Sequence, residues 1–184
     1  WNISDSYPII ELGGIANDTI DLSDINTYNG EEGYDLIGSQ GADILVGSVN
    51  SDRLIGGSGA DTLTGGAGID AFIFNEGDAE SSGGNLEAGT YHFTDGIDVI
   101  TDLSVGETVD FERDFIFTDG DTIFPLLDDE MYIIQGTYDA EAVTFITDTV
   151  AGTDSLVVYD GNVEIDIVSE VALVLSNVSV DQLE

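Results

Sequence analysis

The chain has 184 residues, of which 38 are acidic and two are basic, and its formal net charge at pH 7 is -36. So strong a negative charge repels nucleic acid and anionic membrane surfaces, which excludes both as electrostatic partners. The absence of cysteine excludes disulfides and thiolate metal sites. No apolar run is long enough to span a membrane, so we expect no membrane insertion.

The hydrophobic content is high for a chain with so much negative charge, since 42% of the residues are hydrophobic. A disordered chain of this charge would contain far fewer apolar residues. The two observations agree if divalent cations form part of the folded structure. Adaptation to high salt is a rival explanation for the surplus acid, and both can hold together. At this length we expect one or two small domains.

Residues 1–29 are predicted to form a lead-in segment. Within it, Gly13-Gly-Ile-Ala-Asn-Asp-Thr-Ile-Asp21 places Asp18 two residues before the apolar Ile20. The same spacing of Asp and apolar residue recurs in the segment that follows. Asp18 is therefore a candidate cation ligand.

A nine-residue repeat fills the next part of the chain. Four units begin at Gly38, Gly47, Gly56 and Gly65. The sixth position is always Asp, and the eighth is always a large apolar residue: Asp43, Asp52, Asp61 and Asp70, with Leu45, Leu54, Leu63 and Phe72. One unit earlier, Gly30-Glu-Glu-Gly-Tyr-Asp-Leu-Ile37 fits with one residue deleted and adds Asp35. We predict a roll over residues 30–74.

A period of nine residues is too short for a helical hairpin, so each unit should be one tight turn and one short strand. Two units then make one coil of a flattened solenoid, with the eighth-position residues pointing inward. Glycine lets the turn backbone adopt positive φ and approach a ligand closely. The turn glycines predicted to take part in cation binding are Gly38, Gly41, Gly47, Gly56, Gly57, Gly59, Gly65, Gly66 and Gly68.

Aspartates from alternate units should lie on the same edge of the roll. We expect Asp43 to stack near Asp61, and Asp52 to lie between Asp35 and Asp70. Two like charges about 4 Å apart repel by about 4 kcal/mol at an effective dielectric constant near 20. A hard cation between the turns would reverse that sign. Calcium takes six to eight oxygen ligands, which carboxylates and turn carbonyls supply, whereas magnesium requires a tighter octahedron.

The pattern Gly-Gly-x-Gly-x-Asp-x-(apolar)-x resembles the RTX nonapeptide repeat, which forms a calcium-binding parallel β-roll. The units at 56–64 and 65–73 match it without departure. The unit at 47–55 has Ser48 and Asn50 in place of glycines, and the unit at 38–46 has Ser39. The resemblance implies several bound calcium ions. Residues 13–23 also resemble the segment that leads into the roll in serralysin-type secreted proteases.

Beyond the roll, short β-branched or aromatic runs follow one another without an amphipathic helix of convincing length. The run from Asp98 to Phe111 resembles the segment that follows the roll in RTX proteins. We predict that residues 75–184 form an antiparallel β cap or sandwich that closes the hydrophobic end of the roll. The fold class is therefore all-β, a parallel β-roll followed by an antiparallel cap.

In RTX proteins the cap region carries an uncleaved signal for type I secretion, and the ending Val178-Ser-Val-Asp-Gln-Leu-Glu184 fits such a signal. The resemblance implies the type I secretion machinery as a partner and a secreted, extracellular or cell-surface location. The sequence has one histidine, His92, and no Gly-x-Ser-x-Gly elbow. We therefore predict that the chain is not an enzyme.

Two functions remain open. The first is a structural component that self-assembles in calcium, such as a surface-layer, matrix or filament subunit. The second is the non-catalytic C-terminal module of a larger secreted hydrolase, epimerase or adhesin, which the serralysin-like lead-in favours. Particle size in calcium should distinguish them.

Overall fold

The structure is a computed structural model. It describes residues 8–11, 14–25, 33–75, 78, 85–87, 90–93, 96–111, 116–118, 130–147, 152–160 and 171–178. Over these ranges the regular secondary structure consists of strands, without a helix. A helix able to span a membrane is accordingly not found in the described part of the chain. The predicted all-β class is confirmed.

The first sheet contains five strands, and each pair of neighbours is parallel. Their order across the sheet is β1 (Ile9–Glu11), β3 (Asp35–Gln40), β5 (Arg53–Ser58), β7 (Ala71–Phe74) and β11 (Thr108–Phe111). The second sheet begins with four strands whose neighbours are also parallel. They are β2 (Thr19–Asp21), β4 (Ile44–Val46), β6 (Thr62–Thr64) and β10 (Asp98–Ile100).

The second sheet then continues into the C-terminal half. After β10 the order is β16 (Val171–Leu175), β15 (Asp154–Asp160), β13 (Glu130–Asp139), β14 (Thr144–Thr147), β9 (Thr90–His92) and β8 (Asn85–Glu87), and β12 (Ile116–Thr118) pairs with β13. The pairs from β16 through to β8 are antiparallel, as predicted for the cap. The two exceptions are β10 with β16 and β12 with β13, which are parallel.

The chain alternates between the two sheets from β1 to β7, and each crossing from β3 to β7 is a turn. We call the side with the turns that precede β2, β4, β6 and β10 edge one. The side with the turns that precede β3, β5, β7 and β11 is edge two. Each edge therefore collects turns from alternate nine-residue units, as the sequence predicted.

The eighth-position residues form the core of the roll. In the first sheet, parallel register places Leu36 beside Leu54 and Leu54 beside Phe72. In the second sheet, Leu45 lies beside Leu63. All five side chains have no exposed surface, which confirms that they point inward. The core of the roll is thin, because β3, β4, β5 and β6 each bury one large apolar side chain.

The C-terminal strands cover the end of this core. Val157, Leu173, Leu175 and Val178 belong to the same buried cluster as the Leu stack. Because β10 and β11 extend both sheets, strand pairing crosses the predicted boundary at residue 74; the division into domains stays a prediction. Of the predicted secretion signal, residues 179–184 lie outside the described residues.

The thin core makes each inward leucine important for stability. We expect Leu54→Ala to lower the free energy of unfolding by about 2–5 kcal/mol, since it leaves a cavity that the rigid coils cannot fill. Urea unfolding in saturating calcium measures this. The matched control is Ile44→Ala on the outer face, where Ile44 is 46% exposed and the expected change is within about 0.5 kcal/mol. Equal losses for both variants would contradict the inward packing of Leu54.

Candidate metal centre

On edge one, the aspartates form a continuous ladder of hydrogen bonds. In each step, the backbone N–H of one Asp donates to the carboxylate of the Asp one coil further on. Asp18 N donates to Asp43 Oδ1 at 2.7 Å, Asp43 N to Asp61 Oδ1 at 2.8 Å, and Asp61 N to Asp98 Oδ1 at 2.7 Å. The predicted stacking of Asp43 on Asp61 is confirmed, and Asp18 lies at the start of the same ladder.

Edge two carries a shorter ladder of the same kind. Tyr34 N donates to Asp52 Oδ1 at 2.6 Å, and Asp52 N donates to Asp70 Oδ1 at 2.8 Å. The predicted stacking of Asp52 on Asp70 is therefore confirmed. The ladder position above Asp52 belongs to Tyr34, which supplies a backbone donor and no carboxylate.

The prediction that Asp52 stacks on Asp35 is wrong. The inward packing of Leu36 against Leu54 sets the register of β3 on β5, and this places Asp35 opposite Arg53. Asp35 Oδ2 forms an ion pair with Arg53 Nη1 at 3.3 Å. Asp35 therefore lies one residue beyond the ladder, and the structure does not bring it together with the other predicted ligands.

The sequence prediction missed two aspartates that hold the last repeat turns. Asp98 ends edge one's ladder, and β10 pairs with β6 so that Ile100 lies beside Leu63. Asp102 accepts hydrogen bonds from Gly65 N and Gly66 N, both at 2.8 Å. The signal was present for Asp98, because Gly96-Ile-Asp-Val-Ile100 repeats the Gly-x-Asp-x-apolar spacing. An insertion of about two units' length separates it from the repeat and hides its phase.

The second carboxylate oxygen is what makes the ladder a candidate cation site. Oδ2 of Asp43, Asp61, Asp70 and Asp98 is buried and has no hydrogen-bond partner. These four side chains are at most 2% exposed. A buried oxygen of an ionised carboxylate costs several kcal/mol if nothing compensates its charge. The arrangement therefore fits a cation at these oxygens.

The turn glycines bring carbonyl oxygens to the same place. Gly57 and Gly59 lie against the carbonyl oxygens of Ser39 and Gly41 in the preceding coil on edge one. On edge two, Gly66 and Gly68 lie against those of Ser48 and Asn50, and Gly47 against that of Gly65. A Cβ at these positions would collide with backbone, and at Gly59 positive φ, +142°, also disfavours a side chain.

The remaining predicted glycines touch the carboxylates themselves. Gly38, Gly56 and Gly65 lie against Oδ2 of Asp43, Asp61 and Asp70 respectively. Within the ranges that the structure describes, no three His, Cys, Asp or Glu side chains form a group that could hold a metal ion. Carbonyl oxygens must therefore supply much of the coordination. A donor set of carboxylate and carbonyl oxygens suits a hard cation such as calcium.

Burial changes the protonation of these aspartates in the metal-free protein. It raises the pKa of Asp61 to about 6 and that of Asp70 to about 7, although a backbone hydrogen bond to each lowers it in part. Burial also raises the pKa of Asp98 well above its ordinary value. On edge two, burial raises the pKa of Glu107, which lies near Asp70. Without a cation, protons therefore compete for the ladder near neutral pH.

Comparison with known proteins places the repeat in a described family. The RTX calcium-binding nonapeptide repeat matches residues 37–72 in four copies. No curated protein matched the chain. Among solved structures, the solution structure of the AlgE6R2 subunit from the Azotobacter vinelandii mannuronan C5-epimerase is 21% identical. The match covers 97% of this chain and 92% of that one, with a TM-score of 0.49.

Removing one ladder charge should weaken calcium binding. Asp61→Asn keeps the Oδ1 acceptor for Asp43 N but replaces the unpartnered Oδ2 with an amide nitrogen. We expect the calcium midpoint for folding, followed by far-UV circular dichroism, to rise at least about tenfold, equivalent to about 1.4 kcal/mol. Asp110→Asn, at an exposed position of β11, removes the same charge away from the turns and should leave the midpoint nearly unchanged. An unmoved midpoint for Asp61→Asn would refute the ladder.

The raised pKa values predict that the stability of the calcium-free roll falls as pH rises. Salt-bridged carboxylates, whose pKa values are lowered, give the opposite dependence. An unfolded Asp has a pKa of about 3.9, so the contribution of Asp61 and Asp70 to the stability of the calcium-free roll is greatest below about pH 4. This stability is lost as pH rises through about 6 to 7, where Asp61 and Asp70 ionise. The fraction of β structure in calcium-stripped protein, followed by far-UV circular dichroism from pH 8 down to pH 4, measures the slope. Asp70→Asn should flatten it between pH 5 and 8; an unchanged slope would exclude Asp70 as its source.

Proposed function

We propose that this chain, a member of the RTX calcium-binding nonapeptide-repeat family by residues 37–72, is a secreted protein whose roll folds when it binds calcium outside the cell. In that state it would serve as a structural, self-assembling component, such as a surface-layer, matrix or filament subunit. The observation that carries the calcium-dependent folding is the row of buried, unpartnered Oδ2 atoms on Asp43, Asp61, Asp70 and Asp98.

The residues that would hold the ions are these aspartates and the turn carbonyls stacked beside them. Bound calcium supplies positive charge between coils and oxygen coordination for atoms that lack hydrogen bonds. The chain's own part is to hold each carboxylate by a backbone N–H of the neighbouring coil, so that Oδ2 is already oriented. The glycines keep the coils close enough for carbonyls from two turns to reach one gap.

The energetics make folding conditional on calcium. Each site contributes about 2.7 kcal/mol of stability when free calcium is a hundredfold above its Kd. Several such contributions are comparable with the whole stability of a typical domain, about 5 to 15 kcal/mol. Where calcium is scarce, self-repulsion of a chain with net charge -36 opposes compaction. An unfolded chain is also the form that type I secretion, which we propose as the export route, requires.

Self-assembly is supported by the outer strands at the start of the roll. Among the described residues, β1 pairs only with β3 and β2 only with β4. Within the described ranges, the Asp18 carboxylate at the start of edge one's ladder accepts no hydrogen bond, whereas Asp43, Asp61 and Asp98 each accept one. A parallel strand and turn from a second copy would pair with the outer edge of β1 or β2 and donate a hydrogen bond to the Asp18 carboxylate. Bound cations would remove the charge repulsion that otherwise keeps copies apart.

The same end of the roll supports the second candidate function. If the chain is the C-terminal module of a larger secreted hydrolase, epimerase or adhesin, an upstream coil would pair with β1 and β2 and donate to Asp18. The module would then be non-catalytic and stay monomeric by itself. The open edge is common to both functions, so size in calcium decides between them.

We expect calcium titrated into chelator-treated protein to produce a coil-to-β transition in far-UV circular dichroism. Light scattering on the same samples should show growth in particle size. A transition without growth would reject self-assembly and leave the module. The absence of any transition would reject calcium-dependent folding, and with it both functions.

A proline on β2 tests whether growth proceeds through this edge. Because Asp18 O accepts from Ile44 N, and Leu22 N donates to Val46 O, the backbone of Thr19 faces away from β4. Thr19→Pro therefore removes an outward N–H and none of the roll's own hydrogen bonds. We expect the calcium midpoint for folding to be retained and growth to be lost, while Thr19→Ser grows normally. Growth by Thr19→Pro would place the contact elsewhere.

A further inference from the structure

The turn at residues 47–52 differs from the other repeat turns in its backbone. At the second position of the other units φ is positive, with values of 86° at Ser39, 94° at Gly57 and 96° at Gly66. At the fourth position it is positive in Gly41, Gly59 and Gly68. The two corresponding residues here are Ser48 and Asn50, and neither has a positive φ. This turn therefore follows another path between the same two sheets.

That path brings Ser48 onto the carboxylate of its own turn. Ser48 N donates to Asp52 Oδ2 at 2.6 Å, and Ser48 Oγ donates to the same oxygen at 2.9 Å. The other oxygen, Oδ1, accepts from Tyr34 N. Asp52 thus has three donors on its two oxygens. It is the one sixth-position Asp of the four repeat units whose Oδ2 is not left without a partner.

Asn50 holds the serine in this position. Asn50 N donates to Ser48 Oγ at 3.1 Å, and Asn50 Nδ2 lies 3.3 Å from the same atom. Ser48, Asn50 and Asp52 are each at most 3% exposed, so water does not compete for these bonds. Asn50 Oδ1 is buried without a hydrogen-bond partner, but it is a neutral amide oxygen, and its burial costs less than that of a charged carboxylate oxygen. The two Ser48 donors occupy the oxygen of Asp52 that corresponds to the unpartnered Oδ2 of Asp43, Asp61 and Asp70.

We propose that the turn at 47–52 is closed by hydrogen bonds from Ser48 and Asn50 in place of a calcium ion, and that Asp52 is not a calcium ligand. This inference rests on the proposed calcium-dependent folding and refines it. Cations are then required at Asp43, Asp61 and Asp98 on edge one and at Asp70 on edge two. The repeat sequence alone would assign equal roles to all four sixth-position aspartates.

One consequence concerns the order of folding. A turn that closes through its own side chains can form before calcium arrives, whereas its neighbours carry unneutralised oxygens. It joins β4 to β5, so it connects the two sheets at the middle of the roll. Calcium binding would then fold the neighbouring coils onto a turn that has already formed.

The test counts calcium ions bound per chain at saturation, by equilibrium dialysis with radioactive calcium, on the full chain. Counting separates a ligand from a residue that affects only stability. We expect Asp61→Asn to bind at least one ion fewer than the wild type, and Asp52→Asn to bind the same number. Loss of an ion by Asp52→Asn as by Asp61→Asn would overturn the inference and leave the proposed function intact. A wild-type chain that binds no calcium would overturn both.

A second variant covers the case in which Asp52→Asn does not fold. Ser48→Gly combined with Asn50→Gly restores the repeat glycines and removes the Ser48 hydroxyl, one of the two donors to Asp52 Oδ2. We expect this double variant to bind one ion more than the wild type and to need calcium for protection of the turn at 47–52 from amide hydrogen exchange. An unchanged ion count, or equal protection without calcium, would overturn the inference.

Discussion

The structure depends on how each ladder aspartate divides its two oxygens. One oxygen accepts a backbone N–H from the neighbouring coil and so fixes the distance and register between turns. The other is left buried without a donor on Asp43, Asp61, Asp70 and Asp98. The first contact is available to the chain alone, whereas the second needs a positive partner. Structure within the roll is thus specified by the chain, but its stability is not.

This division explains a composition that looks contradictory in the sequence. The hydrophobic core of the roll is thin, since β3, β4, β5 and β6 each bury one large apolar side chain, and the repulsion within a chain of net charge -36 opposes it. Glycine adds to the cost, because it loses more conformational entropy on folding than other residues. In return, glycine lets the coils approach closely, so that carbonyl oxygens of successive turns face a common gap. Glycines thus bring the oxygens together, and cations compensate the charge that this close approach concentrates.

The repeat alone predicted most of the roll. The nine-residue period predicted short parallel strands, two edges and an inward stack, because each follows from local spacing. It failed at Asp35, where apolar packing of Leu36 overrode the apparent Asp phase. It also missed Asp98, whose neighbours in space are distant in sequence, and it could not see that Ser48 satisfies Asp52. The pairing of the C-terminal strands was equally beyond it, since several short apolar runs can pair in many orders.

The position of Arg53, which forms the ion pair with Asp35, affects how proteases can cleave the chain. The sequence has no lysine, and Arg53 and Arg113 are its two basic residues. Trypsin-like enzymes, which cut after basic residues, therefore have two sites in the whole chain. Arg53 begins β5, between β3 and β7 at the centre of the first sheet, so a protease reaches its peptide bond only when the coil opens. The roll is thereby cleavable while it is unfolded and protected at that bond once it has closed.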